Sequence, residues 1–283
     1  MWTESLITGI ERAKSLDRLG RKLGLAVAGV VRPGRTKDLL AGTWLGHPLH
    51  PVLTDLPIGA WTSAFVLDLM DGAQARRAAD TLVGVGVLAA VPTAATGLSD
   101  LADMVDPQER SLGAAHALGN LTAVALYGGS WLARRRGRRD AGVRLAMLGA
   151  AVVSGAGFIG GHLAFRKGVG VDQTVFRERV DDWTTVLEER QLPEAKARRV
   201  RAGGTDILLY RQEDRIVALA NRCSHRGGPL HKGRVAGGTV RCPWHLSTFS
   251  LEDGAIVQGP ATAPQPCYQT RVRDGAIEVR EPG

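Results

Sequence analysis

The stretch Cys223-Ser224-His225 is followed, beyond a glycine-rich segment, by Cys242-Pro243-Trp244-His245. Each stretch places one cysteine close to one histidine, so together they supply two thiolates and two imidazoles. This set suits a 2Fe–2S centre, in which thiolates bind one iron and neutral imidazoles bind the other. It also suits a structural zinc ion, but zinc fingers group their ligands as C-x₂₋₄-C and H-x₃₋₅-H blocks. The mixed blocks therefore favour the iron–sulfur interpretation.

The sequence around these stretches is typical of a small all-β domain. Short alternating segments are separated by turn pairs such as Gly203-Gly204 and Asp274-Gly275. We predict a β domain over 180–283, with the cysteines and histidines on two of its loops and with 166–180 as a linker. The predicted strands are 206–210, 215–219, 268–272 and 276–279.

Two longer segments carry a family resemblance. Asn221–Leu230, which reads NRCSHRGGPL, and Cys242–Phe249, which reads CPWHLSTF, resemble the two cluster-binding boxes of Rieske proteins. The resemblance covers about 180–281. It implies a Rieske domain with a bound 2Fe–2S cluster. The cluster ligands that it implies are Cys223, His225, Cys242 and His245.

Departures from the family pattern bear on the redox potential. High-potential Rieske proteins carry a disulfide between the two boxes, at positions that correspond here to Gly228 and Trp244. Phe249 stands where those proteins have a tyrosine, whereas Ser247 keeps a hydroxyl that bonds a cluster sulfur in many members. Because fewer hydrogen bonds to the cluster lower its potential, the resemblance implies a ferredoxin-like centre of low or intermediate potential.

The N-terminal half contains three long uncharged runs. The first lies between Asp80 and Asp100, the second between Arg110 and Arg134, and the third between Arg144 and Arg166. Each run approaches or exceeds the ~20 residues that a helix needs to cross a bilayer. With a fourth, less apolar segment, we predict an all-α, four-helix transmembrane bundle over 46–172. The predicted spans are 51–70, 80–99, 111–133 and 145–165.

Charge and amphipathicity point to a membrane rather than to nucleic acid. The net charge is +8, but the basic residues adjoin apolar runs, as in 134–139, and no nucleic-acid-binding motif is present. Residues 1–45 are predicted to form an amphipathic interfacial segment. We therefore expect a multi-pass protein of the cell membrane. Basic residues balance on the two sides of the bundle, so the positive-inside rule assigns no side to the β domain.

The helical half has a resemblance of its own. Gly46-His47-Pro48-Leu49-His50-Pro51 and Gly160-Gly161-His162-Leu163 are similar to motifs of an uncharacterised four-helix bacterial membrane-protein family. That resemblance covers about 40–172 and implies no activity.

Four histidines, His47, His50, His116 and His162, are predicted to lie near one face of the bilayer. Polar residues inside a membrane are by default functional candidates. Three interpretations stay open for them: capping of backbone groups, a quinone or proton-relay site, and a bis-histidine haem b. His50, His116 and His162 are the candidate haem or quinone residues.

These patterns predict a membrane-anchored electron-transfer protein, a component of an oxidoreductase. It would carry one electron at a time between a redox partner protein and quinone or a cofactor in the bundle. The alternatives are a ferredoxin-like donor for a separate oxygenase and a redox or iron sensor. We expect no oxygenase catalytic subunit, because the short stretch after His245 contains no histidine that could help to bind a catalytic iron.

Overall fold

A computed structural model describes residues 2–282, which divide into two compact units. The helical unit comprises the residues up to Arg32 together with Leu49–Val169. The β unit comprises Pro33–Pro48 together with the residues from Gly170 onward. The predicted combination of an all-α N-terminal half and an all-β C-terminal domain is confirmed.

Four long helices dominate the helical unit. Helix α4 (Leu49–Asp68) packs on α5 (Ala73–Leu101), and α6 (Pro107–Arg135) packs on α7 (Arg139–Phe165), so the four helices form two hairpins. Each of the predicted spans overlaps one of them. By length and composition, α5 and α7 are apolar enough to cross a membrane. The other helices of this unit are α1 (Trp2–Glu11) and α2 (Lys14–Val30).

The start of α6 shows how the sequence sets a helix boundary. The Asp106 side chain accepts hydrogen bonds from the backbone N–H groups of Gln108 and Glu109, at 2.8 and 3.1 Å. Pro107 takes the first helical position, where its missing N–H costs nothing. The helix ends near Gly137, whose φ of +75° allows the sharp turn into α7.

Proline inside α4 is compensated by a neighbouring helix. Pro57 has no N–H to donate to the carbonyl of Leu53, four residues earlier. The hydroxyl of Thr93 on α5 donates to that carbonyl instead, at 3.1 Å. The hydrogen bond gives a half-buried acceptor a partner and ties α4 to α5.

The interior of the bundle is built from aromatic rings against glycine. The rings of Trp61 and Tyr127 stack with centroids 4.0 Å apart and an interplanar angle of 5°. Trp61 lies against Gly86 on α5, and Tyr127 lies against Gly149 on α7, with no room for a Cβ at either glycine. Small residues at these positions let the helices approach closely.

A buried ion-pair network lies at one end of the bundle. The Arg134 side chain is fully buried, with its Nη2 2.5 Å from Asp68 and its Nη1 2.9 Å from Asp80. Arg139 contacts both carboxylates as well. Charges that are buried in this way need partners, because an unpaired one costs several kcal/mol.

The first two helices pack against the four-helix core. Asp17 on α2 forms an ion pair with Arg110 on α6, at 2.8 Å. Gly20 lies so close to the backbone of Arg110 that a Cβ would be 2.7 Å from its carbonyl oxygen. An interfacial role for residues 1–45 stays a prediction.

In its described residues, the β unit contains ten strands in two antiparallel sheets. The larger sheet has the order β1-β10-β9-β4-β3-β2, and the smaller has the order β5-β6-β7-β8. The four predicted strands correspond to β3, β4, β9 and β10. The strands are β1 (Thr184–Glu188), β2 (Arg198–Ala202), β3 (Thr205–Gln212), β4 (Arg215–Ala220), β5 (Arg234–Ala236), β6 (Thr239–Arg241), β7 (Thr248–Ser250), β8 (Ile256–Gln258), β9 (Cys267–Arg273) and β10 (Ala276–Arg280).

Strand β3 is buried on both faces, and its alternation divides the core. Ile207 and Leu209 belong to one hydrophobic cluster, which includes Ile277. Leu208 belongs to a second cluster, with Phe249 and the two cysteines of the paired boxes. The second cluster therefore supports the candidate site.

Segments from outside the predicted domain complete the β unit. Helix α3 (Arg35–Ala41) and a short 3₁₀ helix (Thr43–Leu45) belong to it, and the Thr43 hydroxyl donates to the carbonyl of Ala261 at 3.0 Å. Val180, at the end of the predicted linker, is buried in the first cluster. From Gly170 onward, the predicted linker therefore belongs to the β unit.

Candidate metal centre

Two loops carry the paired boxes. The loop between β4 and β5 contains Cys223 and His225, and the loop between β6 and β7 contains Cys242 and His245. Each loop follows a short strand that fixes its start. The four side chains therefore come from loops whose bases the two sheets hold.

The four side chains form a sulfur pair and an imidazole pair. The two thiols are buried, with residue exposures of 1% and 2%, and they hydrogen-bond to each other. The rings of His225 and His245 have centroids 5.0 Å apart and are nearly perpendicular, at 87°. Both histidines are half-buried. The sulfurs thus lie inside the domain and the imidazoles at its edge.

The thiols differ in their electrostatic environment. The pKa of Cys242 is lowered to about 7, because the Cys223 thiol donates to it and the N–H groups of Trp244 and His245 add further donors. The hydrogen bond to Cys242, followed by burial, raises the pKa of Cys223 well above its ordinary value. Metal binding would displace the protons of both thiols, because cysteine binds metal as the thiolate.

A turn gives the first box its shape. The N–H of Cys223 donates to the carbonyl of Gly228 at 2.9 Å, and the N–H of Gly227 donates to the carbonyl of Cys223 at 2.8 Å. Gly227 has a φ of +73°, a conformation that favours glycine. Asn221 fixes the far end, since its Oδ1 accepts from the backbone N–H of His231 at 2.9 Å.

Gln265 holds the first box from a third loop, and the sequence patterns did not reveal it. Its Nε2 donates to the carbonyls of Ala220 and Arg222, both at 2.7 Å, and its Oε1 accepts from the N–H of Ser224 at 3.0 Å. The side chain is buried. The available signal was its position between Pro264 and Pro266, in a loop where prolines remove backbone donors.

Gly228 brings the two boxes together. A Cβ at this position would lie 2.7 Å from the Cys242 sulfur and 3.1 Å from the Trp244 ring. The space beside the sulfur is thus kept open by glycine. The distance to the Trp244 ring also shows that Gly228 and Trp244, which match the disulfide positions of high-potential Rieske proteins, are neighbours in the fold.

Ser247 is held in place beside the second box. Its carbonyl accepts from the N–H of Cys242 at 2.8 Å, and its Oγ accepts from the N–H of Ala261 at 3.0 Å. Because the hydroxyl oxygen is the acceptor there, its hydrogen stays available for donation. Phe249, two residues on, is fully buried in the second cluster.

The donor set fits a 2Fe–2S cluster. Two thiols that touch and two imidazoles that touch correspond to the two kinds of iron ligand in a Rieske centre. Within residues 2–282, no three His, Cys, Asp or Glu side chains are arranged to hold one metal ion.

In the helical unit, the structure brings two of the candidate histidines together. The rings of His50 and His116 have centroids 6.3 Å apart. His50 Nδ1 lies 3.0 Å from the Thr93 carbonyl, and His116 Nδ1 lies 2.8 Å from the Ala156 carbonyl. His162 lies near the end of α7, and among the described residues its ring is not part of this pair.

Comparison with known proteins gives two matches. The family model for the Rieske [2Fe-2S] domain matches residues 182–269. The family model described as a predicted membrane protein (DUF2231) matches residues 46–173. The two matched regions follow one another along the chain without overlap.

Similar proteins match the β unit alone. The mouse (Mus musculus) protein apoptosis-inducing factor 3 is 30% identical over 96 residues, which are 34% of this chain and only 16% of that protein. The 3-phenylpropionate/cinnamic acid dioxygenase ferredoxin subunit of Photorhabdus laumondii is 34% identical over 95 residues, which are 33% of this chain and 90% of that subunit. The solved ferredoxin of carbazole 1,9a-dioxygenase from Nocardioides aromaticivorans is 24% identical, with a TM-score of 0.34, over 36% of this chain and 100% of its own.

The paired boxes, the sheets that carry them and the near-complete match to a ferredoxin subunit agree with one another. The 2Fe–2S cluster is the cofactor of this domain, and electron transfer is its activity. The helical region adds a domain of predicted membrane proteins. The chain belongs to the Rieske [2Fe–2S] family through its C-terminal domain, and it carries a DUF2231 membrane domain before it.

Proposed function

We propose that this chain is a multi-pass, membrane-anchored electron carrier whose cluster is held by Cys223, His225, Cys242 and His245. The observation that carries the proposal is the sulfur pair beside the imidazole pair on two adjoining loops. When bound, the 2Fe–2S cluster accepts and releases one electron at a time. The domains proposed are an interfacial segment over 1–45, a four-helix domain over 46–172 and a Rieske domain over 180–283, with residues 33–48 and 170–179 packed in the β unit.

The burial of the four ligand side chains supports one edge of the domain as the place where electrons enter or leave the cluster. The thiols are enclosed by the second hydrophobic cluster, whereas the two imidazoles are half-exposed beside Trp244. Trp244 is 46% exposed. A redox partner that docks on this edge would therefore come nearest to the imidazole side of the site.

Membrane anchoring supports a partner within or at the bilayer. The DUF2231 match covers the bundle, and α5 and α7 have the length and composition of spanning helices. We propose that α4 and α6 span as well, because each pairs with one of these helices in a hairpin. The electron would pass between a redox protein and either quinone or a cofactor of the bundle.

The ligand assignment is tested by electron paramagnetic resonance of the full chain, purified anaerobically in detergent and reduced. Cys223→Ser and His245→Ala should each abolish the Rieske signal. Cys267→Ser is the matched control, because this third cysteine lies outside the two boxes, and it should keep the signal. Metal analysis that finds one zinc per chain and no iron would overturn the proposal.

The potential is expected in the lower part of the Rieske range of about −150 to +300 mV. Ser247 keeps a hydroxyl beside the second box, but Phe249 offers none, and neither Gly228 nor Trp244 can form a disulfide between the boxes. A redox titration should show that Phe249→Tyr raises the potential and that Ser247→Ala lowers it. A wild-type midpoint near the top of that range would contradict this expectation.

A second candidate function is electron donation to a separate oxygenase. It is favoured by the match to nearly the full length of a dioxygenase ferredoxin subunit. The two functions differ in the acceptor, so stopped-flow oxidation of the reduced protein separates them. Rapid oxidation by a short-chain quinone supports the first, and oxidation only by a Rieske-type oxygenase supports the second.

A further inference from the structure

Two kinds of ring–glycine contact occur at corresponding positions in both hairpins of the bundle. When α4 is aligned on α6 so that His50 matches His116, Trp61 falls on Tyr127. When α5 is aligned on α7 so that Gly86 matches Gly149, Gly97 falls on Gly160. Within each helix the two matched members lie about three turns apart, so they share a face.

The contacts repeat along with the residues. In the first hairpin, Trp61 lies against Gly86 and His50 lies against Gly97. In the second, Tyr127 lies against Gly149 and His116 lies against Gly160. A Cβ at Gly97 would be 2.7 Å from His50 Cε1, and one at Gly160 would be 2.8 Å from His116 Cε1. Each imidazole therefore packs against a glycine on the partner helix of its own hairpin. We call these two glycines, Gly97 and Gly160, the seat glycines.

A backbone carbonyl near each seat glycine fixes the tautomer of the ring. The acceptor for Nδ1 is the carbonyl four residues before the seat glycine, Thr93 for His50 and Ala156 for His116. A carbonyl only accepts, so Nδ1 carries the proton in both neutral rings and Nε2 carries a lone pair. An imidazole that donates its Nδ1–H to a carbonyl is the usual arrangement of a metal-binding histidine.

The separation of the rings suits one atom held between them. Metal–imidazole bonds of about 2.0–2.1 Å, with about 1.1 Å from nitrogen to ring centre, place trans imidazole centroids roughly 6.2–6.4 Å apart. The observed separation is 6.3 Å. A quinol ring with hydrogen bonds of about 2.7–2.8 Å on both sides would need a much wider gap.

We propose that His50 and His116 are the two axial ligands of a haem b that lies between the hairpins. The Thr96 hydroxyl and the Asn120 amide also contact these rings, and neither is a strong metal ligand. A bare ion would need further ligands, whereas a porphyrin supplies four and leaves the two axial positions for imidazole. Asn120 Nδ2 lies 3.1 Å from His116 Nε2 and donates to the His116 carbonyl at 2.9 Å. When Nε2 binds iron, Asn120 would lose the first contact and keep the second.

This inference deepens the proposed function, because it names the cofactor of the bundle. The electron-transfer role of the haem rests on the proposed function, whereas its binding by His50 and His116 does not. The test is an absorption spectrum of the full chain, expressed with 5-aminolevulinate, together with a pyridine haemochrome assay. We expect about one haem b per chain, with a low-spin Soret band. His50→Ala and His116→Ala should each lower the haem content at least tenfold.

Controls separate loss of haem from loss of fold. His47→Ala and His162→Ala change histidines outside the His50–His116 pair and should keep the haem. In the His50→Ala and His116→Ala proteins, a symmetric gel-filtration peak and the cluster signal show that the chain is folded. Adding haemin together with free imidazole should restore a low-spin haem spectrum. A wild-type protein that takes up no haemin, or haem that persists in both variants, overturns the inference. In either case an intact cluster signal leaves the proposed function standing.

Discussion

In the β unit, the buried side chains of Asn221, Ser247 and Gln265 hydrogen-bond to backbone groups of loops, and those loops present the cluster ligands. In the helical unit, the buried side chains of Asp68 and Arg134 bond to each other, and buried aromatic rings lie against glycine. The first region uses polar side chains to shape irregular backbone. The second has regular backbone and uses polar side chains to join helices.

This difference explains why the residues of one site lie close together in the sequence and those of the other lie far apart. A loop site is local, so both ligands of each box lie within four residues of one another. A site between helices is assembled from distant positions, as with His50, Thr93, His116 and Ala156. Substitutions in one region should therefore affect the cofactor or stability of that region alone.

The largest effect is expected from the ion-pair network. Arg134→Met removes the fully buried arginine partner of Asp68, whose side chain is only 5% exposed, and leaves it paired with Arg139. The loss should be about 3–5 kcal/mol, visible as a large fall in the melting temperature of the helical unit in detergent. The double variant Asp68→Leu/Arg134→Met should recover most of it. An unchanged melting temperature in the single variant would show that the pair is not buried.

The next effect falls on the β unit. Gln265→Leu removes three hydrogen bonds, to the carbonyls of Ala220 and Arg222 and from the N–H of Ser224. We expect a loss of roughly 2–4 kcal/mol and faster release of iron to a chelator. Gln269→Leu, at an exposed position of β9, is the matched control. Equal iron release from both variants would contradict the role of Gln265.

A smaller effect tests the fit of rings against glycine. Gly86→Ala would bring a methyl group into the Trp61 ring and should destabilise the bundle by about 1–3 kcal/mol. Gly128→Ala, also within a helix but with open space at its Cβ, should be neutral or slightly stabilising. Thermal unfolding measures both. Two equal changes would refute the packing argument.

The smallest effect concerns the segment before the bundle. Thr43→Val removes the hydrogen bond to the Ala261 carbonyl and should cost about 1 kcal/mol. Ala261 also donates to Ser247, so hydrogen exchange at this loop should speed up. Thr36→Val, at an exposed position of α3, should leave that exchange unchanged. Faster exchange in the control alone would count against the contact.

The sequence was informative where ligands and strands are local. The Cys–His boxes predicted the loops, and the regular alternation in 206–219 and 268–279 predicted β3, β4, β9 and β10. Strands β5 to β8 have three residues each, too few for a periodic signal. Gln265 and the seats of His50 and His116 depend on backbone groups far away in sequence, which no local pattern encodes.

Pro33–Pro48 and the residues from Gly170 onward belong to one compact unit, although the whole bundle separates them in sequence. A soluble fragment cut at residue 180 would therefore be missing a piece of its own fold. It would expose the Ala261 carbonyl that Thr43 covers and the edge of the loop that holds Ser247. A fragment for isolated study should be a fusion in which residues 33–48 are joined by a short linker to residue 170, with the bundle left out.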